Sequence, residues 1–509
     1  MTDQIANTKR IAKNTLMLYF RMFFLMILGL FTSRVVLHAL GETDYGIYNV
    51  VGGVVALFTV ISGALTTAVT RFITFEMGKG SEAQLNKVFS TAVNVQILLC
   101  AIIIILAEPI GLWFIDNRMT IEPDRIPAAR LVMHFSLLSF VVNLMSVPQM
   151  ASITAHEKMS AYAYIGILDG ALRLAAALII SKASTDRLVL YAVLMAVALI
   201  IVRCAYGIYC RVNFPECRYR FIYDKSLIRQ MFSFAGWSFI GSASGVLRDQ
   251  GGNILVNIFF GPAVNAARAV AVQLNGAIQS FITNFMTAVN PQITKSYASG
   301  DHAYMFSLMR KSSRFSFYLL LILALPILFN TDSIMSVWLE TVPAHSVLFV
   351  RLFLIFTLCE SVSQPLITSM LATGNIRNYQ IVVGGLQLLN LPVSYLCLKS
   401  GAAPESTVMV AIVISQICLA ARLLMLEKMI GLSVKEFISR VYLNVIYVAA
   451  AAIVIPLIIS FFLPDGILWT LLSVVVSALS AALSILFVGC TAVERNELVG
   501  FIRSKISFR

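Results

Sequence analysis

The chain has 509 residues, 59% of them hydrophobic and only 12% charged, with a net charge of +13 and a mean hydropathy of +0.85. Soluble proteins carry about 25% charged residues, so this composition excludes a water-soluble enzyme. It also argues against nucleic acid as a partner, because a polytopic membrane protein gathers Lys and Arg in its cytoplasmic loops. The eight cysteines lie mostly inside apolar runs, without His or Cys neighbours at zinc-ligand spacing, so no disulfide framework or metal centre is expected.

Apolar runs of about 20 residues can cross a bilayer. Fourteen are predicted, at 14–38, 46–69, 88–114, 127–150, 161–181, 188–210, 232–259, 264–290, 315–338, 346–371, 379–398, 404–426, 441–463 and 467–490. The first follows a basic head (Lys9, Arg10, Lys13) and is too long for a cleaved signal. The runs at 161–181 and 379–398 are short and interrupted by polar residues or Gly. With a cytoplasmic N-terminus, Arg71, Lys79, Arg211, Arg218, Arg220, Lys225, Arg310, Lys311 and Arg314 fall on the inner side. The opposite loops hold only five basic residues: Arg118, Arg125, Lys182, Arg187 and Lys399. That alternation fits fourteen spans with both termini inside.

The sequence also repeats itself. At an offset of 220 residues, Gly41 matches Gly261, Val50 matches Val270, and Thr67-Ala68-Val69 matches Thr287-Ala288-Val289. Ile73-Thr74 likewise matches Ile293-Thr294, and Gly80 matches Gly300. Later the offset is 217: Pro148, Ser152, Ala155 and Tyr162 match Pro365, Ser369, Ala372 and Tyr379. Six spans separate the copies, so both halves enter the membrane in one direction, as a parallel repeat. The expected fold class is an all-α polytopic membrane protein with two six-helix lobes plus two extra C-terminal helices. The divisions are 1–210 (N-lobe), 211–231 (basic cytoplasmic connector), 232–426 (C-lobe) and 427–509 (spans 13 and 14 with a cytoplasmic tail).

Ionisable groups inside spans cost several kcal/mol and usually face a cavity or a partner. They are Arg21 and Arg34 in span 1, Arg130 at the edge of span 4, and Asp169 with Arg173 in span 5. The second half adds Arg248 and Asp249, Arg268, and Arg351 with Glu360. Arginine dominates, and guanidinium groups in a wet cleft suit an anion, above all phosphate, which Arg grips with two parallel bonds. Asp169 and Arg173 stand four residues apart and can neutralise one another. Arg34, Arg268 and Arg351 lie near the outer ends of their spans, where snorkelling to the interface is the alternative to facing inward. Arg248 and Asp249 are adjacent, about 100° apart on a helix, and are expected to need other partners or water. Asn253 and Asn257 continue the Asp249 face. Asp249 and Glu360 are the acidic candidates for H⁺ or Na⁺ coupling, against the plainer reading of a salt bridge to a nearby arginine. No P-loop, HExxH or GxSxG signature is present, so a transporter is expected rather than an enzyme.

Asn14-Thr15-Leu16 through Tyr19-Phe20-Arg21, Thr32 to Leu37, Leu40-Gly41, Asp44 to Gly53 and Phe259 to Ala269 carry a resemblance. The chain resembles the bacterial oligosaccharide and O-antigen flippases of the multidrug/oligosaccharidyl-lipid/polysaccharide (MOP) superfamily, over essentially its whole length. The resemblance implies movement of an undecaprenyl-diphosphate-linked glycan from the cytoplasmic to the periplasmic leaflet of the inner membrane, by alternating access of two lobes. It implies a monomer among membrane lipids, working beside glycan polymerase or assembly proteins, with no cofactor beyond a coupling H⁺ or Na⁺. By similarity to the lipid II flippase, Arg21 and Arg268 would hold the diphosphate. Spans 13 and 14 depart from the twelve spans of many polysaccharide flippases and keep the lipid II flippase open as an alternative, with a drug/cation antiporter or a glycan polymerase as further rivals.

Overall fold

The computed structural model describes residues 2–56, 59–117, 121–339, 342–462 and 466–496, and among these it holds helices and no strand. The elements are α1 (Thr2–Ala56), α2 (Thr59–Lys79), α3 (Glu82–Asn117), α4 (Ile126–Met145), α5 (Val147–Ala155), α6 (Met159–Lys182) and α7 (Arg187–Asn213). Then follow α8 (Lys225–Ala298), α9 (His302–Phe329), α10 (Thr331–Trp338), α11 (Ser346–Thr373), α12 (Arg377–Leu388) and α13 (Asn390–Lys399). The chain ends with α14 (Ser406–Ile430), α15 (Val434–Phe437), α16 (Leu443–Ser460) and α17 (Ile467–Ser484).

Twelve helical stretches among the described residues are long and apolar enough to cross a membrane. One of them is α8, whose 74 residues turn at Gly261, so that each half alone exceeds the roughly 20 residues a bilayer needs. The expected second span, 46–69, is the one that departs from the prediction. It runs over two residues outside the description, and α2, rich in Thr, Ser and Gly and ending in charged groups, is not among the twelve. The short spans predicted at 161–181 and 379–398 are both present, as α6 and as α12 with α13.

The repeat is written into the backbone. Gly41 (φ 76°, ψ 172°) and Gly261 (φ 80°, ψ −175°) break their helices with nearly the same left-handed geometry, which costs a residue bearing a Cβ but not glycine. Gly80 and Gly300 repeat this at φ 77° and 79°. At the second offset, the Ser152 and Ser369 hydroxyls each donate to the carbonyl four residues back, Pro148 and Pro365, both at 2.9 Å.

The chain divides into two compact units, Met1–Ser242 with Thr287–Gly300, and Ala243–Met286 with Asp301–Arg509. In the first, α1 packs along α6, α4 against α7, and α2 against α5. The connector after α7 lies along α3, held by a ladder one turn apart. The Asn86 amide donates to the Glu216 and Arg218 carbonyls (2.8 Å each), Ser90 accepts from the Arg220 N–H (3.2 Å), and Asn94 donates to the Ile222 carbonyl (2.8 Å). In the second unit, α9, α11 and α14 form a layer, and α16 and α17 pack on α9. Arg314 of α9 fixes this C-terminal pair through Glu494 (2.5 Å) and the Gly489 carbonyl (3.2 Å). Position 489 has to be glycine there, because a Cβ would stand 2.8 Å from the Tyr318 ring.

Candidate functional site

The Gly261 turn folds α8 back on itself and lays Arg268 across the preceding stretch. Arg268 is only 4% exposed. Its Nε donates to Asn253 Oδ1 (2.7 Å), Nη2 to the Asp249 carbonyl (3.4 Å) and Nη1 to Thr407 Oγ1 of α14 (3.5 Å). Its guanidinium lies 5.1 Å from the Phe353 ring centre on α11. Gly252 lets it pass, since a Cβ there would meet Nη2 at 2.6 Å. Every acceptor of this buried cation is a neutral group. The snorkelling alternative therefore does not hold for Arg268, because the turn directs it into the unit rather than outward.

Arg248 and Asp249 pair with each other, against expectation: Nε to Oδ1 is 2.8 Å and Nη2 to Oδ2 is 3.2 Å. Adjacent Cβ atoms do diverge, but three methylenes let the arginine swing round the helix onto its neighbour while its guanidinium stacks 5.0 Å from the Phe356 ring centre. Arg248, Asp249, Gly252 and Arg268 line a narrow cavity with Phe353, Phe356, Asn390 and Thr407. Its ≈ 20 Å³ has room for about one water molecule. Two arginines against one carboxylate leave this cluster net positive. Asn257 is exposed and stands apart from it.

The remaining predicted residues sort into pairs and singles. Glu360 faces Arg422 of α14 at 4.0 Å. Arg422, 1% exposed, lies inside the predicted 404–426 span but is not among the charges singled out from the sequence, although its position in that span was the signal that could have found it. Arg351 binds Asp332 (2.8 Å) and Thr331 (3.3 Å), and Arg130 binds Asp116 at 2.9 Å. In the first unit, Arg21 lies against α6, 4.6 Å from the Tyr162 ring centre, with its Nε buried and unbonded. Arg34 is exposed. Asp169 accepts from Arg173 Nε at 3.0 Å, and this pair lines a cavity of about 430 Å³ with Thr32, Tyr45, Tyr48 and Tyr191.

Residues 11–297 match the family described as "Polysaccharide biosynthesis protein". The chain belongs to this family. No curated protein matches it. Among solved structures, an outward-facing multidrug resistance MATE family transporter of the MOP superfamily is similar, with a TM-score of 0.71 and 10% identity over 82% of this chain and 95% of that one. A MOP superfamily transporter from Pyrococcus furiosus Vc1, described by a binding pocket of reverse polarity that suggests a different function, gives 0.70 and 10% over 82% and 95%. The MATE transporter ClbM in complex with Rb⁺ gives 0.68 and 14% over 84% and 96%. The expected all-α, many-span fold of two lobes, shared with these transporters, is thereby borne out. The polysaccharide biosynthesis match takes in Arg21, the Asp169–Arg173 pair and the whole α8 turn with Arg248 and Arg268.

Proposed function

We propose that this multi-pass membrane protein is a flippase for a lipid-linked oligosaccharide, moving it from the cytoplasmic to the periplasmic leaflet of the inner membrane by alternating access, with both termini cytoplasmic. The observation that carries the reading is the state of two intramembrane arginines. Arg268 is bonded only to neutral acceptors, and Arg21 has no ion pair among the described residues and a buried, unbonded Nε. An intramembrane cation to which no carboxylate is bonded is a functional site by default, and the guanidinium fork suits a diphosphate. The cavity beside Arg268 holds about one water, so in this reading the site widens before a lipid phosphate enters. Membership of a polysaccharide biosynthesis family supplies the glycan. A cation or drug antiporter is disfavoured, because the two intramembrane carboxylates weighed as cation sites, Asp249 and Glu360, each face an arginine, as does Asp169. In this reading the protein works as a monomer beside glycan polymerase or assembly proteins, with H⁺ or Na⁺ as the coupling ion.

The test is leaflet accessibility of the labelled diphosphate-linked glycan, probed from the periplasmic side in cells with and without the protein. Arg268→Ala and Arg21→Ala are expected to slow transfer at least about tenfold at normal membrane insertion. Arg268→Lys, which keeps charge but loses the fork, recovers only part. Arg351→Ala, in its separate pair with Asp332, transfers normally. Full transfer by both arginine variants would sink the proposal.

A further inference from the structure

The cavity of the first unit has a chemistry that the arginine cluster lacks. It measures about 430 Å³, within the range of small-molecule sites. Three tyrosines and Thr32 line it beside the Asp169–Arg173 pair. Tyr48 and Tyr191 stand with ring centres 4.9 Å apart at 57°. The pair uses only one edge of each partner, Nε to Oδ1. Among the described residues no other hydrogen bond reaches Asp169 Oδ2 or the two Nη groups of Arg173. The cavity thus offers an acceptor, two donors and several hydroxyls, with no net charge.

The cavity is also held in shape from outside. Arg125 binds Asp44, next to Tyr45, through Nε (3.0 Å) and Nη2, and binds Asp186 through Nη1 (2.7 Å). Asp186 caps α7, the helix that bears Tyr191, by accepting from the Leu188 and Val189 N–H groups. One guanidinium outside the membrane therefore fixes both segments that carry the tyrosines.

We propose that this cavity binds one or two neutral sugar residues of the transported glycan. A pyranose presents an apolar C–H face that covers an aromatic ring and a rim of hydroxyls that donate and accept. Adjacent hydroxyls match the unused edges of the pair, one donating to Asp169 Oδ2 and one accepting from Arg173. A cation would find its carboxylate already neutralised, and an anion its guanidinium likewise. The inference deepens the flippase reading and rests on it for the glycan, while its test does not need transport.

Purified full-length protein in detergent is examined by saturation-transfer NMR against methyl glycosides of neutral hexoses, N-acetylhexosamines and 6-deoxyhexoses, with methyl glucuronide and tetraphenylphosphonium as charged probes. At least one neutral glycoside is expected to bind, and Tyr48→Ala and the isosteric Asp169→Asn to weaken it about tenfold or more. Asp169→Asn leaves Arg173 uncompensated and is expected to shift preference toward the glucuronide. Arg125→Ala is expected to weaken binding less, through loosened tyrosines. Binding of no glycoside, binding unchanged in both Tyr48→Ala and Asp169→Asn, or tetraphenylphosphonium binding abolished by Asp169→Asn would each overturn the proposal. Glycan transfer lost in the Arg21 and Arg268 variants with no sugar bound here refutes the cavity alone. Sugar bound here with no leaflet transfer by the native protein refutes the flippase reading alone.

Discussion

Arg268 bonds side-chain and carbonyl dipoles rather than a carboxylate directly, and that arrangement depends on a missing methyl group. A Cβ at position 252 would stand 2.6 Å from Nη2, the far end of a flexible chain rather than backbone. Gly252→Ala is therefore expected to displace the guanidinium from the Asp249 carbonyl while the helix, which favours Ala over Gly by about 1 kcal/mol, stays folded. Transfer should fall about tenfold with the melting temperature unchanged or slightly raised; a large loss of melting temperature would show that the hairpin itself yields. The sequence found the charged groups of this cluster by position but not the Arg248–Asp249 pairing, since spacing fixes where a Cβ points and not where a long side chain ends. Outside the membrane, the Glu216 carboxylate meets His156 Nε2 at 2.5 Å, and His156 stacks on Phe214. Burial pushes Glu216 up, but the His156 hydrogen bond and its own backbone N–H outweigh it, leaving the carboxyl below its ordinary 4.5. A depressed acid contributes stability that is present above its unfolded value and is lost as pH falls through the folded one. Hydrogen exchange of the connector backbone along α3 should thus rise as pH drops below about 4.5, and Glu216→Gln should remove that dependence.

At the scale of elements, the Gly261 turn sets the register that puts Arg268 opposite Asn253. Gly261→Ala forces a side chain into φ 80°, ψ −175°, a region all but confined to glycine, at a cost of about 1–3 kcal/mol, with nothing crowding the Cβ itself. The expected result is a melting temperature lower by a few degrees together with reduced transfer. Gly41→Ala, at the same point of the first repeat, should cost a similar amount of stability, and a much smaller loss there would mean that the two turns are not equivalent. The repeat was legible because a positive φ leaves its mark as glycine in both copies. The predicted spans were legible because bilayer length imposes long apolar runs. The second span was weaker because α2 spends its positions on Thr, Ser and Gly. The ladder of Asn86, Ser90 and Asn94 was not legible, because its partners are carbonyls of a connector that looks like a basic loop.

At the scale of the molecule, the first unit closes on a piece of chain taken from far along the sequence, Thr287–Gly300, and Glu157 is where it closes. Its carboxylate is 1% exposed and binds Arg10 Nε (2.7 Å), Lys295 Nζ (2.8 Å) and the Gln292 amide (2.6 Å), while its carbonyl accepts from Asn14 (3.1 Å). Its backbone is left-handed, φ 59°, where the equivalent residue of the second repeat, 217 positions on, is Gly374 at φ 77°. Both N–H groups bond three residues back, Glu157 to Thr154 and Gly374 to Leu371. The first repeat thus keeps a glycine conformation but fills it with a carboxylate, accepting strain for the sake of three side-chain partners. The sequence did not single Glu157 out, since a carboxylate between two spans reads as solvated until the end of α8 covers it. Removing it takes a carboxylate from two cations at once. Arg10 is half exposed and can turn to water, but Lys295 is only 24% exposed. Glu157→Gln is expected to cost about 3 kcal/mol, read as a fall in melting temperature in detergent. Lys295→Gln alone should cost less, because Arg10 and Gln292 still hold the carboxylate. In the double variant the two losses should not add, since Lys295 has nothing left to lose once the carboxylate is gone. Additive losses would mean that Lys295 stabilises the unit through another contact and that Glu157 is not the point on which it closes.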